Sequence, residues 1–382
     1  MNKIIMDTKE LLAEVKSCID CMSCLEVCDT YKVTNDPLKS PNGRLKIAQK
    51  VFEDQQISAE ERTGLYTCTL CSICDLTCQE EINISEIIHS SKVRLVESNK
   101  APLEIHNKII DEITKNDNSV GGKPDERLNW LPEKYLKEEV FEKKDSDTLL
   151  YFGCMSSFRV KESATNPYKI LKDAGYDFKI LKNEPCCGEY VYSSGNLEIT
   201  KKIFEENIKL FKRIGIKNLI VTCGGCLYAF DKVYRKFFHN FDINTRHIVD
   251  VIYELEKQGT IKLKPLNREI TYHDPCRVGR KYQSGPLYTE PREILKKCGL
   301  QINELTQNPE NCPCCGAGSG IRGVDSSICV KIGNDLFNRI KTKEIVSSCP
   351  LCVFNFRYVN YKNQTDKEAK YITDYIFESI QK

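Results

Sequence analysis

Short apolar runs and amphipathic segments alternate through the C-terminal two-thirds of the chain. Four of the apolar runs predict strands, and each ends at a cysteine; they are TLLYFGC (148–154), NLIVTC (218–223), EITYHDPC (269–276) and EIVSSC (344–349). The segments at 201–215 and 329–341 have the apolar spacing of amphipathic helices. Strands that alternate with helices predict parallel sheets, which bind ligands beyond the carboxyl ends of their strands. The cysteines are therefore predicted to lie at the edge of a sheet where ligands bind.

The first quarter of the chain is predicted to be helical. Residues 43–66 have a helical pattern, and residues 79–98 continue as a helix with an apolar stripe of Ile82, Ile84, Ile87, Ile88, Val93 and Leu95. Between 99 and 146 the pattern is polar and irregular, which predicts a linker in which Trp130 is a packing anchor. The predicted organisation is a small domain at 1–98, a linker at 99–146, and two further domains at 147–262 and 263–382.

Composition and charge are ordinary, but the cysteine content is not. The chain has 382 residues, a formal net charge of +2 and 21 cysteines. The balanced charge gives no indication of binding to nucleic acid or to a membrane surface. No apolar run is long enough to span a membrane, and the N-terminus lacks the apolar core of a signal peptide. We therefore expect a cytoplasmic protein that reaches a membrane only through a partner, and in that reducing compartment clustered cysteines more often bind metal.

The first eight cysteines form two runs with the same spacing, Cys-x2-Cys-x2-Cys-x3-Cys. The first run contains Cys18, Cys21, Cys24 and Cys28, and the second contains Cys68, Cys71, Cys74 and Cys78. This pattern is typical of modules that bind two [4Fe–4S] clusters, in which the fourth cysteine of each run ligates the other cluster. We therefore expect one cubane on Cys18, Cys21, Cys24 and Cys78, and a second on Cys68, Cys71, Cys74 and Cys28. Zinc is the alternative, although its sites are built from paired Cys-x2-Cys units rather than triples.

The remainder of the chain contains a duplication. Each copy has a cysteine after a strand, then a Cys-Cys-Gly doublet, a helix, a second strand and a Cys-x2-Cys pair. The corresponding cysteines are 122, 128 and 126 residues apart, which indicates a repeated unit of about 120 residues. One set of five is Cys154, Cys186, Cys187, Cys223 and Cys226, and the other is Cys276, Cys314, Cys315, Cys349 and Cys352. The glycines after the doublets are expected to permit a tight turn or a close backbone approach to a bulky inorganic centre.

With these motifs, nearly the whole chain resembles the D-type subunits of heterodisulfide reductases, a family in which the B and C subunits are fused and two cysteine-rich CCG domains are present. The resemblance implies an α+β multidomain fold, in which a helical two-cluster ferredoxin module precedes two duplicated Rossmann-like α/β domains. Two departures are Asp29 and Gln79, since bacterial ferredoxins have proline after the fourth cysteine of each run. The spacing between the runs is similar to that of helical ferredoxin modules of respiratory complexes.

The resemblance also implies cofactors, a reaction and partners. Each five-cysteine set would hold a noncubane [4Fe–4S] cluster, and the ten cysteines would form the catalytic centre. The reaction would be reduction of a small disulfide, in the family the heterodisulfide of coenzymes M and B. Electrons would come through the two cubanes from a membrane cytochrome b, a flavin-containing subunit or a free ferredoxin.

Two other functions remain open at this stage. The chain also resembles the iron–sulfur electron-transfer subunits of anaerobic glycerol-3-phosphate and glycolate or lactate dehydrogenases, which serve a flavoprotein and need not reduce disulfides. Their cysteine pattern is often incomplete in one repeat, whereas both repeats are complete here. A zinc-bound interaction scaffold is the other alternative.

Several residues outside the cysteine sets have more than one interpretation. Gly318-Ser319-Gly320-Ile321-Arg322-Gly323 has the G-x-G-x-x-G spacing, but it follows a cysteine pair rather than a strand, so we expect a loop around a cluster and not a dinucleotide site. His273 is expected to be a hydrogen-bonded residue at a strand end. Four basic residues could bind an anionic substrate, balance cluster charge or be solvated: Arg159, Arg277, Arg280 and Lys281. Cys298, Cys312 and Cys329 are expected to be structural.

Overall fold

The computed structural model describes residues 7–380, and the chain forms two compact units that are interleaved in sequence. The first, here the helical unit, comprises the chain through Ile110 together with Glu189–Lys201 and Pro313–Asn338. The second, here the sheet unit, comprises Asp111–Gly188, Lys202–Cys312 and the chain from Arg339 onward. The segments that follow the two doublets therefore belong to the helical unit, which the predicted domain boundaries did not anticipate.

The helical unit is built from short helices whose starts are encoded locally. Asp7 with Glu10 and Ser58 with Glu61 form capping boxes, and Ser40 caps a helix that begins with Pro41. Its core contains Leu45, Val51, Leu65, Ile84 and Ile87 among other buried residues. The helices are Thr8–Lys16, Asp29–Thr34, Pro41–Phe52, Ala59–Tyr66, Ile73–Thr77, Ile84–Glu97, Glu189–Ser193 and Ile321–Val324. Ser326–Arg339 lies almost wholly in this unit.

The sheet unit contains two parallel sheets, as the alternation of strands and helices predicts. The strands are β1 (Thr148–Tyr151), β2 (Asn218–Val221), β3 (Asn244–His247), β4 (Arg268–His273), β5 (Leu300–Glu304), β6 (Glu344–Ser347) and β7 (Glu368–Tyr371). Their orders are β1-β2-β3 and β5-β4-β6-β7, and every pairing is parallel. An isolated parallel β-bridge between Leu149 and Lys179 takes the place in the first copy that the β4–β5 pairing has in the second. The duplication is thus present in the strand order.

Helices connect the strands of the sheet unit and bury one face against them. They are Glu133–Glu138, Gly153–Phe158, Glu162–Asp173, Gly224–Tyr228, Tyr234–Phe237, Ile248–Lys257, Thr289–Lys297, Pro350–Asn363 and Ile372–Ser379, with a π-helical turn at Ala229–Val233. The helices Glu104–Asn116 and Leu197–Arg213 pass from one unit into the other. No helix within residues 7–380 is both long and apolar enough to cross a bilayer.

The stretch predicted as a linker contains regular structure. Glu104–Asn116 is a helix, and its Ile110 and Ile113 are buried. Trp130 is buried against Phe152, with ring centroids 4.3 Å apart, so it is a packing anchor as expected. The helix Glu104–Asn116 was not predicted, because its few isoleucines at helical spacing lie within a strongly polar segment.

Candidate iron–sulfur centre

The two N-terminal cysteine runs adopt the same backbone conformation. Asp20 and Met22 in the first run have positive φ angles of 53° and 64°, and Leu70 and Ser72 at the equivalent positions have 50° and 65°. Residues other than glycine rarely adopt this left-handed conformation, so its repetition at four matched positions indicates one shared way of wrapping a ligand. In this conformation a backbone amide points toward a cysteine sulfur: the Leu70 N–H donates a hydrogen bond to Cys68 Sγ at 3.4 Å.

One cavity brings together the four cysteines that the sequence assigns to the second cubane. Cys28, Cys68, Cys71 and Cys74 all line it, as does Arg44. Burial, as the largest effect, raises the pKa of the Cys74 thiol well above its ordinary value. Ionised sulfurs at this depth therefore need compensating positive charge, which a buried arginine and bound iron would provide.

Among the residues that line this cavity, Arg44 is the one with a positively charged side chain. It is 1% exposed and lies 4.0 Å from Cys28 Sγ. Its other guanidinium contacts are Thr30 Oγ1 at 3.1 Å, Thr67 Oγ1 at 3.2 Å and the Gly64 carbonyl at 2.8 Å. These contacts hold the planar guanidinium group of Arg44 in one orientation beside the cysteines.

The cysteines assigned to the first cubane lie nearer the surface. Cys21 is exposed, whereas Cys18, Cys24 and Cys78 are half-buried. Asn42 Nδ2 lies 3.7 Å from Cys18 Sγ, within reach of a weak hydrogen bond to sulfur. Burial raises the pKa of Cys24 to about 11, with Cys18 as a smaller cause. Solvent therefore reaches one side of this site.

The first five-cysteine set gathers at the carboxyl edge of β1 and β2. Cys154 begins the helix after β1, Cys223 precedes the helix after β2, and a Cβ on Gly153 would lie 2.7 Å from Cys226 Sγ. A hydrogen bond with Cys187, then burial, raises the pKa of Cys186. Cys187 also shares a hydrogen bond with Cys226, which raises the pKa of Cys226 in turn. The cysteines of the first set thus come from three loops at this edge of the sheet.

The two doublets have the same local geometry. Gly188 N–H donates to Cys186 Sγ at 3.4 Å, and Gly316 N–H donates to Cys314 Sγ at 3.3 Å. Both glycines have positive φ, 79° and 86°. The glycine is therefore required because the chain must turn back to present its amide to the first sulfur of the doublet.

Part of the predicted linker contributes to the first site. The Cys186 amide donates to Asp117 Oδ1 at 3.3 Å, and Ser119 Oγ lies 3.5 Å from Cys154 Sγ. The sequence analysis missed both residues, because polar residues in an irregular segment give no periodic signal.

Glu184 is a third supporting residue that the sequence did not predict. Its carboxylate accepts the amides of Phe152 at 2.8 Å and Gly153 at 2.7 Å, so it fixes the turn that carries Cys154. Burial raises the pKa of Glu184 to about 7, and the nearby Arg127 guanidinium opposes that rise. Cys312 stands at the equivalent position of the second copy, where Pro275 replaces Gly153 and has no amide to satisfy.

We expect Glu184→Gln to lower the iron content of the first five-cysteine site. Glutamine would turn an NH2 group toward one of the two buried amides, which costs about 1–3 kcal/mol of unfolding free energy. Chemical unfolding of the cluster-free protein and iron analysis of the loaded protein would measure the two effects. Cys312→Ala is the matched control and should retain its iron; equal iron loss in both variants would contradict the role given to Glu184.

The second five-cysteine set is divided between the units. Cys276, Cys349 and Cys352 belong to the sheet unit, and the doublet Cys314–Cys315 belongs to the helical unit. Hydrogen bonds from Cys223 and Cys352 lower the pKa of Cys349 well below its ordinary value. Cys223 belongs to the first set, so the Cys-x2-Cys pairs of the two copies meet inside the sheet unit.

Further contacts support this meeting of the two copies. A Cβ on Gly224 would lie 3.5 Å from Cys349 Sγ and 3.4 Å from the Arg277 Cβ. Tyr371 at the end of β7 donates its hydroxyl hydrogen to the Thr222 carbonyl at 2.7 Å, immediately before Cys223. The carboxyl edges of both sheets therefore share one buried junction.

The other candidate residues have mainly structural contacts. Arg159 donates to the Val120 carbonyl, and Arg280 to the Cys312 carbonyl at 2.7 Å. Lys281 lies over the Tyr228 ring at 4.7 Å. His273 Nδ1 lies 3.3 Å from Ser347 Oγ at a strand end, as expected.

The remaining basic and sulfur groups are buried. Arg277 lies 5.5 Å from the centroid of the same Tyr228 ring, and its Cβ would lie 3.4 Å from a Cβ on Gly224 at the junction of the two copies. Cys298 and Cys329 are completely buried, the latter among Ile321, Ile328 and Ile332, which fits a structural role.

Cysteines that share a cavity with a buried arginine fit an iron–sulfur cluster, because thiolate is a soft ligand suited to iron. Within residues 7–380, no three cysteine, histidine, aspartate or glutamate side chains converge closely enough to share one metal ion. Cluster ligands bind separate irons and need not converge in that way. The cysteines assigned to the second cubane line one cavity with Arg44, and the lack of a side chain at Gly153 lets Cys226 Sγ lie close to the turn that carries Cys154.

Comparison with known families defines the class of protein. Residues 14–82 match the 4Fe-4S dicluster domain, and residues 148–231 and 270–357 each match the CCG cysteine-rich domain. The chain is therefore an iron–sulfur protein that combines a dicluster domain with two CCG domains. The fold class predicted from the sequence is confirmed.

Individual relatives narrow the class. The chain is 26% identical to the D subunit of the dihydromethanophenazine:CoB–CoM heterodisulfide reductase of Methanosarcina mazei, over 92% of this chain and 91% of that one. It is 25% identical to the B subunit of the fumarate reductase (CoM/CoB) of Methanothermobacter marburgensis, over 95% and 70%. It is 29% identical to the EtfAB:quinone oxidoreductase of Syntrophomonas wolfei, over 76% and 42%. The predicted resemblance to the D-type subunits of heterodisulfide reductases is confirmed.

Proposed function

We propose that this chain is the catalytic subunit of a disulfide reductase, with two cubane and two noncubane [4Fe–4S] clusters. The observation that carries the proposal is the junction of the two five-cysteine sets, where a Cβ on Gly224, next to Cys223, would lie 3.5 Å from Cys349 Sγ. Two redox sites that share a buried edge can act on the two sulfurs of one substrate. Two relatives whose names include coenzymes M and B support a thiol–disulfide couple, and their heterodisulfide is the candidate substrate.

The reaction balances with two electrons and two protons. The substrate R–S–S–R′ gains two electrons as its sulfur–sulfur bond breaks, and each thiolate takes up one proton to give RSH and R′SH. Bound clusters would supply the electrons one at a time, since iron–sulfur centres are one-electron carriers. The protein would hold the site dry and rigid through the turns fixed by Glu184, Asp117 and the doublet glycines. Arg277, beside the junction, is the basic residue best placed to contact an anionic substrate.

The second candidate function is an electron-transfer subunit of a flavoprotein dehydrogenase. The similarity to an EtfAB:quinone oxidoreductase over 76% of this chain favours it. Both candidates predict four clusters, so about sixteen irons per chain are expected in either case, and an iron-poor, zinc-rich protein would contradict both. Electron paramagnetic resonance of the reduced protein distinguishes the candidates. Addition of a disulfide should reoxidise the five-cysteine sites before the cubanes, whereas signals that do not respond would favour electron transfer alone.

We expect a protein electron donor to dock beside Cys21. Three of the large apolar side chains that are exposed within residues 7–380 lie within two residues of the ligands assigned to the first cubane: Ile19, Met22 and Leu76, at 58%, 41% and 52% exposure. Solvent-facing apolar residues next to a redox ligand are typical of a partner surface. This cubane would therefore receive the electrons of a cytochrome b, a flavin-containing subunit or a ferredoxin.

The donor surface can be tested with Ile19→Ser. The substitution removes an isoleucine side chain that the docked donor would bury. The binding free energy lost is enough for about a tenfold rise in KM for reduced ferredoxin. The KM for a small reduced viologen should not change, because the dye needs no docking surface. Tyr361→Ser, at a residue 76% exposed elsewhere, is the control. An unchanged KM for the protein donor would place the docking surface elsewhere.

A further inference from the structure

Two residues of the dicluster domain hold the second doublet within the helical unit. The Cys314 amide donates to Asp29 Oδ2 at 2.7 Å, and Cys314 Sγ lies 3.5 Å from Thr69 Oγ1. All three residues are buried, at 4–6% exposure. Asp29 and Thr69 directly follow Cys28 and Cys68 in the sequence, and Cys314 lines the cavity that those two cysteines also line. One candidate cubane and the second doublet are thus neighbours.

The glycine-rich loop after the doublet permits this close approach. A Cβ on Gly318 would lie 2.5 Å from the Thr69 carbonyl oxygen, and a Cβ on Gly320 would lie 2.7 Å from His106 Cε1. Any side chain at either position would push the loop away from the dicluster domain. The G-x-G-x-x-G spacing is therefore explained by packing of this loop.

The equivalent positions elsewhere lack this arrangement. Ile19 in the first run corresponds to Thr69, and Gln79 after the second run corresponds to Asp29; both are exposed. In the first doublet, the Cys186 amide donates a hydrogen bond to Asp117, which is not next to a cubane ligand in the sequence. The departure from the ferredoxin pattern at Asp29 thus has a specific use, since a proline there could not accept the Cys314 amide.

We propose that Asp29 and Thr69 are positioning residues that hold Cys314 of the second doublet where it receives electrons from the neighbouring cubane site. This inference rests on the proposed function. One path runs from Cys28 through the Asp29 carboxylate to the Cys314 amide, and the other runs from Cys68 through the Thr69 hydroxyl to Cys314 Sγ. A cubane held by Cys28, Cys68, Cys71 and Cys74 would supply one electron in each transfer, and a cluster held by Cys314 would accept it.

Thr69→Val tests the second path without a change of side-chain size. When Cys314 is an ionised ligand, the Thr69 hydroxyl is the donor of the hydrogen bond to its sulfur, and such bonds raise the potential of a cluster. We expect the potential of the second noncubane site to fall while the first noncubane site keeps its potential. Loss of one hydrogen bond should also slow electron arrival at the second site about fivefold. The measurement is photoreduction of the fully loaded chain, rapid freezing and electron paramagnetic resonance.

Two further variants separate electron transfer from folding. Thr69→Ser keeps the hydroxyl and should restore both the potential and the rate. Thr77→Val removes a hydroxyl that bonds to the Cys74 carbonyl instead, and it should change neither. Unchanged rate and potential in Thr69→Val, or iron loss that Thr69→Ser does not restore, would overturn the proposal. Absence of thiol release by the unaltered chain would refute the disulfide reductase function but would leave this transfer measurement valid.

Discussion

Cys187→Ala is expected to abolish disulfide reduction and to remove the signal of one noncubane cluster. Cys187 shares hydrogen bonds with Cys186 and Cys226, so it lies at the centre of the first five-cysteine set. Outer-shell partners of metal sites already contribute about 10–100-fold to activity or affinity, so loss of a direct ligand should lower thiol release by more than about a hundredfold. Electron paramagnetic resonance and a thiol assay measure the two effects.

The pattern of remaining signals is the informative part of that experiment. Both cubane signals should persist in Cys187→Ala, and Cys315→Ala should remove only the other noncubane signal. Cys298→Ala is the matched control, because Cys298 is also buried but lies outside every set; it should retain all four signals. Loss of a cubane signal in Cys187→Ala would contradict the proposed grouping of the cysteines.

The second large effect is expected from Arg44→Ala. The substitution removes a buried cation and leaves the Gly64 carbonyl without its guanidinium donor, which costs on the order of 3–5 kcal/mol of unfolding free energy. It also removes the positive charge beside Cys28. We expect iron loss from the site of Cys28, Cys68, Cys71 and Cys74, measured by iron analysis and by the missing cubane signal.

Two arginine variants provide the comparison. Arg44→Lys keeps the charge but lacks the planar fork, so partial iron retention is expected. Arg94→Ala removes an exposed partner of Asp54 in the same unit and should change the unfolding free energy by at most about 1 kcal/mol. Full cluster content in Arg44→Ala would show that the cavity does not need its charge.

Much of the candidate site could be predicted because cysteine spacing and strand patterns are local signals. The four apolar runs are strands that end at the predicted edge, and both glycines after the doublets have the expected special conformation. The matched left-handed turns at Asp20 and Leu70 follow from the repeated spacing of the runs. Duplication made each local pattern easier to recognise, since every element occurs twice.

The supporting residues could not be predicted because their partners are distant in sequence. Asp29 accepts an amide 285 positions away, and the first-set contacts of Asp117 and Ser119 come from a stretch that lacks a regular pattern. The membership of Glu189–Lys201 in the helical unit depends on tertiary contacts such as the hydrogen bond from the Tyr66 hydroxyl to the Ser194 carbonyl, 2.9 Å long. Composition and periodicity carry no information about such pairings.

The most direct test of the central claim is anaerobic turnover of the fully loaded chain with reduced viologen and candidate disulfides, including that of coenzymes M and B. The account predicts two thiols released and two viologen cations oxidised for each disulfide consumed, with loss of this turnover in both Cys187→Ala and Cys315→Ala. A protein with about sixteen irons per chain that releases no thiol from any disulfide would contradict it.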